Sequence, residues 1–253
     1  MVQAPSRTAP CAPALIRLLA RVAGADVAEP AQSLSDRLSG WFGWTDALAL
    51  SAALNGAPPG GKCDAGRGGA PDHDAARECV RVRTALAAAI AGERRDAGRH
   101  ARDIRHAREA RAARDTRGAA RPDDGEADYA LFRQHYLAMQ QAMETQIAAL
   151  RSRLRAALAA RDPGLARLAL LDAALERTLG ERERNLLAGV PALLAAHFEH
   201  LRETSRQPAD DAAPPLDAAW LDVFRQDMQS VLLAELEVRF QPVEGLLAAL
   251  RTR

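Results

Sequence analysis

One apolar stripe between residues 126 and 161 constrains the fold of this chain more than any other feature of its sequence. The stripe comprises Tyr129, Phe132, Tyr136, Met139, Met143, Ile147, Leu150, Leu154 and Leu158. Its mean spacing of about 3.6 residues is that of a straight α-helix and differs from the 3.5 of a heptad coiled coil. With a rise of about 1.5 Å per residue, the stripe predicts a helix roughly 50 Å long.

A second apolar stripe begins after a very short connection. It comprises Leu165, Leu168, Leu171, Leu175, Leu179, Leu186, Val190, Leu193, His197 and Leu201. Asp162 and Pro163 fit an N-cap and a first-turn proline, and the short connection predicts an antiparallel pair of helices. The stripe is interrupted at residues 180–184, and Pro191, which has no N–H, should bend the second helix.

The remaining patterns are also helical. A first helix is indicated by Leu15, Leu18, Leu19 and Val22 and should stop at Gly24. Thr45 is the expected N-cap of a second, short helix. A last helix is predicted over residues 216–240, and Pro242 should end it before a short amphipathic segment over 243–250. We therefore predict an all-α protein. Its segments are a small helical unit (1–55), a Gly- and Pro-rich flexible linker (56–73), an Arg/Ala-rich charged helix or tether (74–125), and a C-terminal antiparallel long-helix hairpin with an added helix (126–253).

Composition excludes several classes of protein. The chain has 57 alanines and few β-branched residues, which argues against a sheet, and a net charge of +1, which argues against a globally basic nucleic-acid binder. Three cysteines do not make a disulfide scaffold. Arginines interrupt the N-terminal apolar run and no stretch suits a membrane span, so we expect a cytoplasmic protein, or one peripheral to the inner membrane.

Chemical motifs are weak throughout. Residues 56–63 resemble a phosphate-binding loop, but the preceding Leu48–Leu54 is predicted to be helical and Cys63 replaces the Ser/Thr that holds magnesium. The run Leu168–Asp172 resembles a Walker B strand yet lies on a helical stripe. His197 is expected to be a hydrogen-bonded core or edge histidine. We therefore expect no enzymatic activity, no metal and no cofactor.

An arginine repeat in the middle segment is the one candidate for binding phosphate. Its members are Arg99, Arg102, Arg105, Arg108, Arg111, Arg114 and Arg117. A three-residue step rotates each arginine about 60° from the last, so the set encircles a helix and lines no single face. Residues 91–121 hold ten arginines and five acids, a local charge of +5. A solvated spacer and a phosphate-binding tether both fit this pattern.

Aromatic side chains mark two candidate docking surfaces. Trp41, Phe42 and Trp44 form either a small core or a partner-binding patch, since tryptophan is enriched at binding hot spots. Trp220, Phe224 and Met228 lie on the last helix, where apolar side chains occupy more than one face. That helix is expected to leave an apolar surface open for a partner helix or a second copy, unless the N-terminal unit covers it.

Four segments carry a family resemblance. LIRLLAR (15–21), GWTDALALSAALNG (43–56), ERERNLLAGVPALL (181–194) and LLAELEVRFQPVEGLLAALR (232–251) resemble a bacterial family of uncharacterised proteins, domain of unknown function 3348. The likeness covers the chain except residues 57–128. Genes of this family neighbour those for a stator-like membrane protein and an OmpA-like protein, so the resemblance implies an accessory role near an envelope complex and transfers no catalytic residue.

The sequence thus predicts a non-enzymatic helical adaptor or scaffold that binds a protein partner, or itself, through long helices. The alternative is a nucleic-acid-associated regulator that uses the arginine repeat at 99–117.

Overall fold

A computed structural model describes residues 13–26, 36, 40–55, 73–92, 124–206 and 219–252. Within these ranges the regular structure is entirely α-helical, which confirms the all-α prediction. The helices are α1 (Ala14–Ala23), α2 (Trp44–Asn55), α3 (73–92), α4 (Asp124–Arg161), α5 (Pro163–Leu187), α6 (Val190–Arg206) and α7 (Ala219–Arg251).

Helices α4 and α5 run antiparallel across the predicted short connection. The Asp162 side chain accepts a hydrogen bond from the Gly164 N–H at 2.6 Å, and Pro163 opens α5, so the expected cap and first-turn proline are both present. Further along the pair, Arg151 of α4 lies 2.7 Å from Asp172 of α5. The apolar stripe of α4 faces inward, with Tyr136, Met143, Ile147, Leu150, Leu154 and Leu158 all buried.

The helix is interrupted by a two-residue turn at 188–189, which separates α5 from α6. Residues 180–184, where the apolar stripe is interrupted, continue the helix. The break lies just before Pro191, whose missing N–H cannot donate to the Leu187 carbonyl four residues earlier. The Gln140 side chain lies 3.5 Å from that carbonyl and donates to it instead. Where a bend was expected at Pro191, the helix is interrupted instead. The neighbouring helix α4 supplies a hydrogen-bond donor, Gln140, to the Leu187 carbonyl that the interruption leaves free.

Helix α7 lies at the centre of the bundle and runs parallel to α4. Phe132 packs against Phe224 near the start of both helices, and Arg161 donates to the Leu250 carbonyl near their ends. Five of the six side chains from Val231 to Leu236 are buried, so this part of α7 is covered on all sides. The buried residues of α7 are Phe224, Met228, Val231, Leu232, Ala234, Glu235, Leu236, Arg239, Phe240, Val243, Leu246 and Leu250.

The prediction that Pro242 ends the last helix is wrong, because α7 continues through it to Arg251. A proline inside a helix costs about 3 kcal/mol. Phe240 before it and Val243, Leu246 and Leu250 after it are all nearly inaccessible to solvent. Burial of a large apolar side chain contributes about 1.5–3 kcal/mol, so these four side chains outweigh the cost of the proline.

The N-terminal helices cover the bundle. Helix α1 packs on α6 and α7, with Leu15 and Val22 buried, and ends at Gly24, whose φ of 61° suits glycine. Helix α3 packs on α4 and α7: Arg83 pairs with Glu237 and Glu244, and Arg153 lies 3.0 Å from Glu78. The described structure covers most of the apolar face expected on the last helix, because α1 and α3 pack on α7, and α4 and α6 surround Phe224.

Helix α2 packs on α5 and starts one residue before its predicted cap. Trp44 is the first helical residue, and Asp46 accepts a hydrogen bond from the Gly43 N–H at 3.0 Å. The prediction that Thr45 caps this helix is therefore wrong. Asp46 instead reaches back to the N–H of Gly43, the residue before the helix, as the third residue of a capping box does.

Replacing Leu150 by Asp should destabilise the protein by about 3 kcal/mol or more, because Leu150 is fully buried and the charge would have no partner. Leu131→Asp is the matched control, since Leu131 lies on the same helix and is 51% exposed. Urea and thermal unfolding followed by circular dichroism measure both variants. Equal unfolding midpoints for the two variants would contradict the packing of α4 described above.

Candidate functional site

A buried polar network joins α4 to α7. Glu235 is completely inaccessible to solvent, and its carboxylate accepts hydrogen bonds from three side chains. The Tyr136 hydroxyl donates at 2.5 Å, the Gln140 amide at 3.1 Å and the Arg239 Nε at 2.9 Å. Tyr136 and Gln140 lie one turn apart on α4, and Glu235 and Arg239 one turn apart on α7, so each helix presents two polar groups at the same level.

The network extends toward the surface through Arg239. Its guanidinium nitrogens lie 3.1 Å from Glu183 of α5 and 3.5 Å from Glu144 of α4, so this arginine links three helices. Burial raises the pKa of the Tyr136 phenol, and the negative charge of Glu235 raises it further. Tyr136 therefore stays protonated and donates to Glu235, which is saturated with donors and does not face a substrate-sized space.

The sequence reasoning missed these four residues. The apolar stripe predicts Tyr136 only as a core residue, and the pattern of the last helix assigns no role to Glu235 or Arg239. A signal was present, since Glu235 and Arg239 stand among Leu232, Leu236 and Phe240. Two opposite charges at i and i+4 inside an apolar helix indicate a buried pair, because a charge is rarely buried without a partner.

A cleft of about 470 Å³ lies beside this network, between α4 and the α5–α6 break. We call it the break cleft. Its lining residues are Tyr129, Arg133, Leu137, Gln140, Glu144, Arg184, Leu187, Ala188, Pro191, Ala192, Ala195 and Arg239. Tyr129 donates a hydrogen bond to the Pro191 carbonyl across the cleft, which ties α4 to the first turn of α6.

The second candidate surface is the outer face of α2. Trp44 is 78% exposed and Leu48, one turn later, is 53% exposed. On the opposite side, Ala53 is buried and Asp46 accepts a hydrogen bond from Thr178 of α5 at 3.3 Å. Trp41 is half-buried, and the guanidinium of Arg182 lies 5.8 Å from its ring centre, in cation–π contact. Phe42 is also half-buried, so of the three predicted aromatic residues here Trp44 is the exposed one.

The predicted site residues on the last helix occupy the core. Phe224 is completely buried and Met228 is 6% exposed, while Trp220 is half-buried. Phe224 and Trp220 both pack edge-on against Phe198 of α6, with ring centres 5.0 Å apart. Packing within the chain therefore takes up the side chains that were expected to meet a partner.

Two further predicted features lie outside the described residues: the arginine repeat over 99–117 and the loop over 56–63 that resembles a phosphate-binding loop. The residues immediately before that loop are helical, so the strand that such a loop requires does not precede it. The Walker B-like run Leu168–Asp172 is also helical, and Asp172 pairs with Arg151 and Arg155.

His197 is a hydrogen-bonded histidine at the edge of the core, as predicted. Its Nε2 lies 2.9 Å from Asp227, which also pairs with Arg21 of α1. Among the described residues, no group of three or more His, Cys, Asp or Glu side chains is placed to hold a metal ion. None of the described helices combines the length and the apolarity that a membrane span requires.

The comparison with protein families gives one result. A family model described as "Protein of unknown function (DUF3348)" matches residues 1–252. The match includes residues 57–128, which the resemblance in the sequence had left out. No curated protein and no solved structure matches the chain.

Replacing Arg239 by Met should destabilise the protein by about 3–5 kcal/mol, because the fully buried carboxyl group of Glu235 would lose its cationic partner. The double variant Glu235→Gln, Arg239→Met should recover much of this loss, since it removes the buried charge as well. Urea unfolding of the wild type, of Arg239→Met, of Glu235→Gln and of the double variant gives a complete double-mutant cycle. Additive losses in the double variant would show that the two side chains are not coupled.

Proposed function

The chain belongs to the DUF3348 family of proteins of unknown function, and from its own structure we propose that it is a non-enzymatic helical adaptor that docks a protein partner on the outer face of α2. The observation that carries this proposal is the exposure of Trp44 beside Leu48. The two side chains are four residues apart and therefore lie on the same face of the helix.

Helix α2 is more apolar than a surface helix needs to be. Seven of its twelve residues are Ala or Leu, and Trp44 adds a large aromatic ring. Trp44 and Leu48 occupy the first two turns of the outer face, and Ser51 and Asn55, joined by a hydrogen bond of 3.2 Å, follow on the same face. In the described structure α2 packs on α5 by one face, and Trp44 and Leu48 are left in contact with solvent. A second protein that covered this outer face would complete its burial.

The neighbouring residues suit a binding surface. Trp41 and Arg182 flank the patch in cation–π contact, and tryptophan and arginine are both enriched at binding hot spots. An exposed tryptophan also has few rotatable bonds, so little conformational entropy is lost when it is buried. A helix from another protein, with an apolar stripe facing Trp44 and Leu48, is the occupant that we propose.

The family resemblance supplies the first partners to try. It implies a setting near an envelope complex, so a stator-like membrane protein and an OmpA-like protein are the first candidates for direct binding assays. The nucleic-acid alternative stays a prediction from sequence, because its arginine repeat lies outside the described residues.

The double variant Trp44→Ala, Leu48→Ala should lower recovery of the partner about tenfold or more, since one hot-spot truncation costs about 2 kcal/mol or more. Quantitative pull-downs from the native host, followed by binding assays with the purified partner, measure the loss. Val80→Ala, Leu131→Ala is the matched control, because both side chains are apolar and exposed but lie on α3 and α4.

Full recovery of every partner by the Trp44 and Leu48 variant would overturn the docking role of α2. Light scattering of the purified wild type tests the other possible occupant of this face, a second copy of the chain. If the protein is a dimer that this variant converts to a monomer, the face binds a second copy and not a different protein.

A further inference from the structure

The break cleft combines apolar walls with two exposed arginines, Arg133 and Arg184, at its rim. Leu137 of α4 and Pro191 of α6 line opposite sides, and Leu187 lies at the break between them. Three alanines of the break and of α6 complete the apolar lining. The volume of about 470 Å³ is within the usual range for small-molecule sites, about 300–1,000 Å³.

The charges at the cleft fall into two groups. Arg239 is deep and pairs with three carboxylates, those of Glu235, Glu183 and Glu144. Arg133 and Arg184 are exposed, and no carboxylate of the described residues lies within ion-pair distance of either one. An arginine without a carboxylate beside an apolar cleft can pair with an acidic group brought by a ligand.

Several backbone groups at the break already have partners. The Leu187 carbonyl accepts from Gln140, and the Ala192 and Leu193 N–H groups both donate to the Gly189 carbonyl. The cations that line the cleft belong to side chains. Tyr129 contributes little as a donor, since its hydroxyl is committed to the Pro191 carbonyl. Arg133 and Arg184 are the two side chains left to bind an anion.

We propose that the break cleft binds a carboxylate carried on an apolar chain, with the carboxylate held by Arg133 and Arg184 and the chain packed on Leu137, Leu187 and Pro191. Such a ligand uses both halves of the site. A small inorganic anion would leave the apolar walls uncovered, and an uncharged apolar molecule would leave both arginines unpaired. None of the lining residues belongs to α2, so this site is independent of the proposed docking face.

The test uses the full chain and isothermal titration calorimetry with four probes. Decanoate carries the carboxylate on an alkyl chain, and N-acetyl-Leu-Leu carries it at the end of a peptide. Decanol has the apolar chain without the charge, and acetate has the charge without the chain. We expect binding of decanoate or of the dipeptide, and at least tenfold weaker binding of decanol and acetate. Which of the first two binds more tightly distinguishes a fatty acid from a peptide C-terminus.

The variant Arg133→Gln, Arg184→Gln should bind the preferred probe about three- to thirtyfold more weakly, because two charge-assisted hydrogen-bond partners are lost at a solvent-exposed rim. Its matched control is Arg167→Gln, Arg177→Gln, which removes two exposed arginines from α5 away from the cleft. The control should bind within twofold of the wild type. Circular dichroism of both variants verifies that they fold, which is expected since all four arginines are exposed.

Three results would overturn the proposal. The first is failure of both decanoate and the dipeptide to bind. The second is equal affinity for decanol and decanoate, which would show that charge is not recognised. The third is equal loss of affinity in the two double variants, which would show a nonspecific effect of net charge. Neither result of the pull-down with the α2 variant changes these binding measurements, so the two proposals are tested separately.

Discussion

The contact between α4 and α7 is the interaction on which the rest of the structure depends. These are the two longest helices, and they run parallel with their apolar faces in contact along most of their length. An apolar seam alone specifies register weakly, because many leucine contacts are interchangeable. The hydrogen bonds from Tyr136 and Gln140 to Glu235 have one good geometry, and they align the two helices at that level. A slip of one turn would leave the Glu235 charge buried without these donors.

The other helices are arranged around this pair. Helices α5 and α6 cover one side of α4, and the break between them lies where Arg239 reaches Glu183. Helices α1 and α3 are held to α7 by ion pairs from Arg21 and Arg83, but those pairs are partly exposed and contribute little by themselves. Burial of Leu15, Val22, Leu86 and Ile90 is the larger contribution to their attachment.

This arrangement decides which surfaces remain for other molecules. The aromatic cluster of Phe132, Phe198 and Phe224 is fully used in joining α4, α6 and α7. Helix α2 contributes little to the core, since Ala53 is its buried residue, and it keeps its largest side chains outside. The break cleft lies where α5 ends at Leu187 and α6 begins at Val190, with Pro191 in its first turn. Both candidate surfaces therefore result from the way the shorter helices pack around α4 and α7.

The sequence by itself determined the local features: the single long helix with its inward stripe, the Asp162 and Pro163 start of α5, and the Gly24 stop of α1. Each depends on residues within a few positions of one another, which is why spacing and capping rules suffice. Only the tertiary structure decided the continuation of α7 through Pro242, the burial of Glu235, and the covering of Phe224 and Met228. Those outcomes depend on contacts between different helices, such as that of Tyr136 with Glu235, 99 residues apart, and periodicity within one helix carries no information about which partner its face will meet.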